Sequence, residues 1–548
     1  MRHGGQLLID QLALEGCDTA FCVPGESYLA ALDGLYGSND IKTIICRQEG
    51  GAAMMAAAHG EKTGKPGIAF VTRGPGATNA SIGVHIARQD SLPMILFVGQ
   101  VGCAMQDREA FQEVNFEAMF SPLAKWAAEI RQTDRIPEYV ARAWHTAQSG
   151  RPGPVVLALP EDMLSATTKA QTIAPTPLGQ AHPDDTAIRA IGDALAAAKR
   201  PLMIVGGPGW NETIQNEVAT FAERLHLPVL AAFRYQDYFD NRHPNYAGHM
   251  GIGIDPSLAK RIREADLLLV MGPRLGEMTT SGYTLVKPPN PAQKIVHIHP
   301  DADELGSVYR TDVPVHATLA AFAARLADID APDTAPWHGE TPRARADYEQ
   351  FSQPVETPGA VKLEQVVAHI CETLPDDAII TNGAGNYTSW VHRYYRYKSY
   401  GTQLANTAGS MGYGLPAAIA GKLAAPDKKV VCFAGDGCFL MNGQELATAM
   451  QYDLPIVIIV VNNAMYGTIR MHQERDYPNR VSGTELQNPD FAALARSFGA
   501  HGTVIEQTEQ FAPAFDAALK ADKPTLIELR VDPQAITPVK TLDQIRGA

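Results

Sequence analysis

The chain of 548 residues has no excess of positive charge: 46 Lys and Arg stand against 60 Asp and Glu, a formal net charge of −14. A protein of that sign is repelled by phosphate backbones and anionic lipid, which argues against nucleic-acid and membrane partners. No CxxC spacing occurs among the seven cysteines, Cys17, Cys22, Cys46, Cys103, Cys371, Cys432 and Cys438. Odd in number and unpaired in spacing, they read as reduced, mostly core thiols of a cytoplasmic protein. The apolar run near the start, Leu7-Leu8-Ile9, is broken by Asp10 and is too short for a signal-peptide core or a membrane span. Low-complexity tracts and short repeats are missing as well. What is present is 45% apolar and 19% charged residues, with 47 Gly and 38 Pro. That is the composition of a folded chain with an ample core, and its length is that of about three to four domains.

Short runs that are apolar at every position recur along the chain, among them Met94-Ile-Leu-Phe-Val98, Pro154-Val-Val-Leu-Ala-Leu159, Leu267-Leu-Leu-Val270 and Ile456-Val-Ile-Ile-Val-Val461. Such runs, alternating with helix-like segments, predict parallel strands covered by helices on both faces. Many end in glycine, as at Gly74, Gly99, Gly206 and Gly435, where ligands bind in open α/β sheets. Proline clusters over residues 166–184 and 328–358 predict linkers. The expectation is an α/β protein of three doubly wound parallel-sheet domains, at residues 1–170, 185–330 and 355–548.

The chemistry is concentrated in the third of these. A strand ends in Gly435-Asp436-Gly437, and a second ends in Asn462-Asn463-Ala464-Met465-Tyr466-Gly467. Adjacent parallel strands would bring Asp436 and Asn463, 27 positions apart, to one sheet edge. A carboxylate and an amide oxygen are hard ligands suited to Mg²⁺, which takes its remaining ligands from phosphate and water. The glycines let backbone N–H groups approach a diphosphate.

In these residues the chain resembles the thiamine-diphosphate enzymes, whose signature is Gly-Asp-Gly followed further along by Asn-Asn. Three other segments carry the resemblance. Gly409-Ser-Met411-Gly-Tyr-Gly-Leu-Pro416 is similar to the segment that holds the aminopyrimidine. Arg47-Gln-Glu49-Gly-Gly-Ala is similar to the catalytic-glutamate helix, and Thr72-Arg-Gly-Pro75-Gly-Ala-Thr-Asn79 to the loop over the thiazolium. Ala110-Phe-Gln-Glu113 and Gly150-Arg-Pro-Gly-Pro154 resemble the acetolactate synthase subgroup.

The resemblance implies roles. Asp436, Asn463 and the carbonyl of Met465 would hold Mg²⁺. Gly385, Asn386, Gly435, Gly437, Cys438 and Gly467 would cradle the diphosphate. Gly25, Thr72, Pro75 and Asn79 would line the thiazolium side, and Gly409 would pair with the aminopyrimidine edge. Glu49 would share a proton with the ring from a partly buried site, and Met411 would wedge the cofactor into a bent shape. The site would straddle two subunits, implying a homodimer at least and commonly a homotetramer.

Substrate positions depart from acetolactate synthases. Glu26-Ser27 follows Gly25 where a small residue is usual, Arg73 replaces a serine, Glu161 a lysine and His472 a tryptophan. Phe111, Gln112 and Lys125 match. The middle domain resembles the dinucleotide-fold domain that binds FAD or ADP in relatives, through Gly206-Gly-Pro-Gly209, Arg151, Gly251 and Arg274, but His299 stands where an acid would meet FAD. The expected activity is decarboxylation of a 2-oxo acid followed by carboligation. A non-ligating decarboxylase or C–C lyase is the alternative. From another class come a nucleotide-binding dehydrogenase or a non-catalytic subunit.

Overall fold

A computed structural model describes residues 1–547 except Ala331, Asp333 and Thr334, so part of the predicted second linker lies outside the described residues. Three six-stranded sheets organise the chain, and every strand pair within them is parallel. The first runs, in spatial order, Lys42–Ile45, Thr19–Cys22, Gly67–Val71, Met94–Gln100, Pro154–Pro160, Trp126–Glu129. The third runs Gln403–Ala405, Ile379–Asn382, Val430–Gly435, Val457–Asn462, Thr525–Arg530, His501–Ile505. Counted along the chain, both have the order 2-1-3-4-6-5. The middle sheet runs Tyr246–His249, Val229–Ala231, Pro201–Val205, Leu267–Met271, Lys294–His299, Val313–His316, in the order 3-2-1-4-5-6. The three predicted units are therefore alike in architecture, but only the outer two share a topology.

The strands are apolar at every position because neighbouring side chains serve different cores. In the first sheet Ala69 and Val71 enter one core, while Ile68 and Phe70 enter another. In the middle sheet Met203 and Val205 alternate in the same way with Leu202 and Ile204. In the third, Cys432 and Ala434 alternate with Val431 and Phe433.

One of these cores is common to the first and third sheets. It is built by the helices Glu49–Thr63, Gly74–Asp90 and Gly414–Ala424. Their contact faces are small: Ala52, Ala53, Ala56 and Ala57 on one, Ala417, Ala418 and Ala420 on another. A Cβ on Gly83 would lie 2.4 Å from that of Ala53, so the two helices touch at a distance only glycine allows.

Candidate active site

In sheets of this order the strand direction of travel reverses between the first and third strands in sequence, and loops leaving that point diverge to form a crevice. Residues 23–27 and 72–76 leave that point in the first sheet, and 383–386 and 436–438 in the third; 462–467 leave the neighbouring fourth strand.

In the third sheet, register sets Gly435 opposite Val461, so Asp436 and Asn462–Asn463 leave the sheet side by side. Asp436 is buried. Its Oδ1 accepts from the Gly437 N–H at 2.8 Å and its Oδ2 from Asn488 Nδ2 at 2.8 Å. Burial pushes its carboxyl above the ordinary value, with the Gly437 and Asn488 hydrogen bonds and those from the backbone of Ala464 and Met465 pulling the other way. Asn488 also donates to Asn462 Oδ1 at 2.9 Å, while its own Oδ1 is buried with no partner. No motif marks Asn488 in the sequence. Asn463 Oδ1 accepts from the Met465 N–H at 3.2 Å.

Around this edge glycine serves close approach. A Cβ on Gly385 or Gly435 would stand 2.7 or 3.2 Å from the Tyr387 ring, and one on Gly437 2.6 Å from the Tyr466 ring. Gly467 opens the helix Gly467–Asp476 beside the Asn463 amide. Asn386 is fixed by bonds to the Ile536 carbonyl (2.9 Å) and Thr468 Oγ1 (2.7 Å). Cys438 contributes its side chain as well as its backbone, because Sγ accepts from the Gly412 N–H at 3.3 Å. That bond ties the Asp436 turn to the Gly409–Met411 turn, in which Gly409 has φ 69° and Met411 packs half-buried against the third domain's core.

In the first sheet, residues 23–27 follow one central strand and 72–76 the next. A Cβ on Gly25 would lie 2.7 Å from that of Thr72, and Ser27 Oγ is 2.9 Å from Thr72 Oγ1. Glu26 and Pro75 are exposed. Glu49 is the first residue of its helix, which Gln48 caps through the Gly51 N–H at 3.0 Å. Glu445, from the third domain, accepts the Arg47 and Gln48 N–H groups at 3.1 and 2.9 Å. A carboxylate at a helix start offsets its unpaired donors and dipole. The Glu49 carboxylate is half-buried and accepts from Asn79 Nδ2 at 2.9 Å. Asn442, bonded to the Gly412 carbonyl, reaches the same helix at Met54. Among the described residues no hydrogen bond joins Glu49 to 409–412 or to Asp436, and the flank it shares with exposed Asn79 and Ile82 is open in the single chain.

Two of the substrate-side departures meet each other. Arg73 forms an ion pair with Glu161 and donates to the Phe111 carbonyl at 3.2 Å. The Gly74 N–H donates to the Gln112 carbonyl at 3.0 Å, and Gln112, at φ 63°, buries an unpartnered Oε1. Phe111 is 69% exposed. His472 lies on the helix Gly467–Asp476 with a buried, unpartnered Nδ1. Lys125 turns away from this cluster, donating to the carbonyls of Thr146 and Ser149.

At the middle sheet's edge the Gly206–Gly209 turn is tightly seated: a Cβ on Gly207 would fall 2.1 Å from the Gly272 carbonyl. Gly209, at φ 86°, faces open space. Gly251, at φ 102°, abuts Phe233. Arg151 donates to Ser91 Oγ and the Arg88 carbonyl, and Arg274 to the Gln89 carbonyl. Burial, and then the neighbouring charge of Arg274, bring Arg151 down to about 10. Lys125 is brought down to about 8 by burial, with Arg88 and Arg151 adding to the fall. His299 is buried with Nε2 unpartnered.

Comparison with known proteins gives the family. Residues 2–119 match the family description "Thiamine pyrophosphate enzyme, N-terminal TPP binding domain", 188–326 its central domain and 383–529 its C-terminal TPP binding domain. The chain is 33% identical over 544 residues to an acetolactate synthase large subunit of Parasynechococcus marenigrum, covering 96% of this chain and 87% of that one. It is 32% identical over 549 residues to the large subunit of Lactococcus lactis, covering 96% and 92%. Against acetolactate synthase isozyme 2 of Escherichia coli the identity is 28% over 534 residues, covering 97% and 96%. No described helix is long and apolar enough to cross a membrane. The chain belongs to the thiamine pyrophosphate enzymes and is similar along nearly its whole length to acetolactate synthase large subunits.

Proposed function

We propose that this enzyme uses Mg²⁺ and thiamine diphosphate to decarboxylate a 2-oxo acid and to join the retained fragment to a second carbonyl compound. The observation that carries the reading is the buried Asp436 carboxylate, at the end of the third sheet's third strand, set beside residues 462–465 at the end of its fourth. The donors fit the metal: one carboxylate, the Asn463 amide oxygen and the Met465 carbonyl are all hard oxygens. Among the described residues no cationic side chain offsets the buried Asp436, and Asn488 Oδ1 has no hydrogen-bond donor. Gly385, Asn386, Gly435, Gly437, Cys438 and Gly467 would surround the diphosphate, and a Cβ on Gly385, Gly435 or Gly437 would crowd Tyr387 or Tyr466.

When bound, thiamine diphosphate supplies a nucleophilic ring carbon and an electron sink for carbon–carbon cleavage. The protein's part is proton handling and placement. Glu49, oriented by Asn79, would exchange a proton with the pyrimidine ring. Gly409 would offer its backbone to the pyrimidine edge, and Met411 would press against the cofactor as a hydrophobic wedge. Gly25, Thr72 and Pro75 wall the thiazolium side. Because the Glu49 flank is open in one chain, the third domain of a second chain would close it, giving a homodimer at least, built up commonly to a homotetramer.

The Arg73–Glu161 pair favours the second reading, a non-ligating decarboxylase or C–C lyase. A second 2-oxo acid would need a free cation for its carboxylate, and Arg73 is neutralised by Glu161 while Glu26 adds another negative charge. Glu26, Ser27, Phe111, Gln112 and His472 would complete that pocket. The test is product analysis over a panel of 2-oxo acids, each alone and with a second 2-oxo acid or an aldehyde. Carboligation predicts a 2-hydroxy ketone product. Glu161→Gln should then raise the share of product formed with an acidic acceptor by about tenfold, the order expected when one screened charge is released. Aldehyde release by both proteins, with no ligated product, selects the second reading.

At the middle sheet's edge, Arg88, Arg151, Arg274 and Lys125 gather, with Glu304 and Asp301 as counter-charges. This cluster, Gly209 and the orphaned His299 nitrogen suit the diphosphate shared by ADP and FAD. Isothermal titration with each should register ADP binding that Arg274→Ala weakens. A yellow protein with a flavin spectrum after purification would assign FAD instead, and no binding of either would remove the site.

A further inference from the structure

The turn after strand Val229–Ala231 belongs to the middle domain and reaches onto the third through its side chains. We propose that Arg234, on this turn, is a positioning residue that holds in place the two loops assigned to cofactor binding, 383–386 and 406–412. The inference rests on the placement of those loops proposed above and on nothing about the substrate.

Arg234 is buried, 3% exposed, and takes φ 64°, a region few residues other than glycine adopt. Its guanidinium crosses the domain boundary with one arm on the Asn406 carbonyl and the other on the Gly383 carbonyl at 2.8 Å. Both carbonyls stand at the roots of the loops in question. Asn406 passes the constraint on directly: its Oδ1 accepts the Ser410 N–H at 2.7 Å and its Nδ2 donates to the Ser410 carbonyl at 3.2 Å. Ser410 lies between Gly409 and Met411. Gly383 passes it on through its N–H to the Tyr387 hydroxyl at 3.1 Å, and the Tyr387 ring packs against Gly385 and Gly435.

The neighbouring turn residues brace the same segment. Asp237 accepts the Thr402 and Gln403 N–H groups at 2.9 and 3.1 Å, and the Gln236 N–H donates to Gln403 Oε1 at 2.8 Å. From the first domain, Asp90 accepts the Thr407 N–H, the Thr407 hydroxyl and the Ala408 N–H at 2.8, 2.6 and 3.0 Å. Residues 402–410 are thus gripped from both other domains. Burying a guanidinium is costly, and a buried one usually answers carboxylates or phosphates. This one is spent on two backbone carbonyls that no single-point donor could span, which is the signature of geometry being fixed.

A purely structural bond would affect stability alone, so the test reads cofactor affinity and local exchange. In hydrogen–deuterium exchange of the wild-type protein, adding thiamine diphosphate and Mg²⁺ should slow residues 383–386 and 406–412, and also 232–238 in the middle domain. Arg234→Lys keeps the charge but reaches only one carbonyl. It should lose the protection at 232–238 and bind thiamine diphosphate at least about tenfold more weakly by calorimetry, the ordinary size of coupling between sites. Protection of the loops without protection of 232–238 overturns the inference and leaves the loop placement standing. So does affinity in Arg234→Lys within about twofold of wild type, too small a change for a coupled site. Unprotected loops overturn both. Should the variant not fold, the wild-type exchange pattern decides.

Discussion

Asp436→Ala is expected to abolish retention of thiamine diphosphate, even at millimolar Mg²⁺. The diphosphate would then face backbone donors alone, without the metal that bridges it to the protein. Asn463 and Met465 supply only neutral oxygens, too weak a set to keep Mg²⁺ from its water shell. The loss should be separable from unfolding. Removing the carboxylate leaves the Gly437 N–H unpaired and takes one of the two acceptors from Asn488 Nδ2, which keeps Asn462 Oδ1, a cost of about 1–3 kcal/mol for a donor left buried, which a three-domain protein can absorb. The check is titration calorimetry beside a circular-dichroism spectrum. Full binding by a folded Asp436→Ala protein would sink the metal assignment.

Glu49→Gln should behave in the opposite manner, with binding reduced modestly and turnover reduced by roughly 10²–10⁴-fold, the range for losing a positioned acid–base group. Glutamine preserves the side chain's length and can still meet Asn79, but it cannot hold a transferable proton. Hydrogen–deuterium exchange at the thiazolium C2 position of the bound cofactor, followed by NMR, gives the direct readout. Exchange as fast as in wild type would make Glu49 a structural residue. The same variant also probes assembly. Mixing Glu49→Gln chains with Asp436→Ala chains should restore about a quarter of wild-type activity, since random dimers that place each site across two chains leave one site in four intact.

The strands were readable because the outer and inner sheets are all covered on both faces, so their runs stay apolar without alternation. Asp436 and Asn463 were readable because adjacent parallel strands convert a fixed sequence interval into a neighbouring position. Asn488 was not, since its contact with Asp436 comes from a loop whose path no local pattern records. Arg73 and Glu161 read as two independent departures until the fold paired them. Glu445 at the start of the Glu49 helix, and Arg234 beneath the 406–412 loop, are contacts between domains and leave no periodic trace. The middle sheet's different order was legible only through the resemblance to a dinucleotide fold, whose 3-2-1-4-5-6 order it has; the apolar runs themselves can be wound in either topology.

The core common to the first and third sheets makes the order of the chain a poor guide to its mechanical units. The outer domains, separated by the whole middle domain in sequence, form one block that neither could complete alone, since each supplies helices the other buries. The middle domain has two cores of its own and is, in effect, an insert carried between the halves of that block. Such an insert can drift in sequence, or exchange one bound nucleotide for another, without opening the block's interior. What it must keep is the small set of residues that touch its host, and the turn bearing Gln236 and Asp237 is where a graft from a relative would succeed or fail.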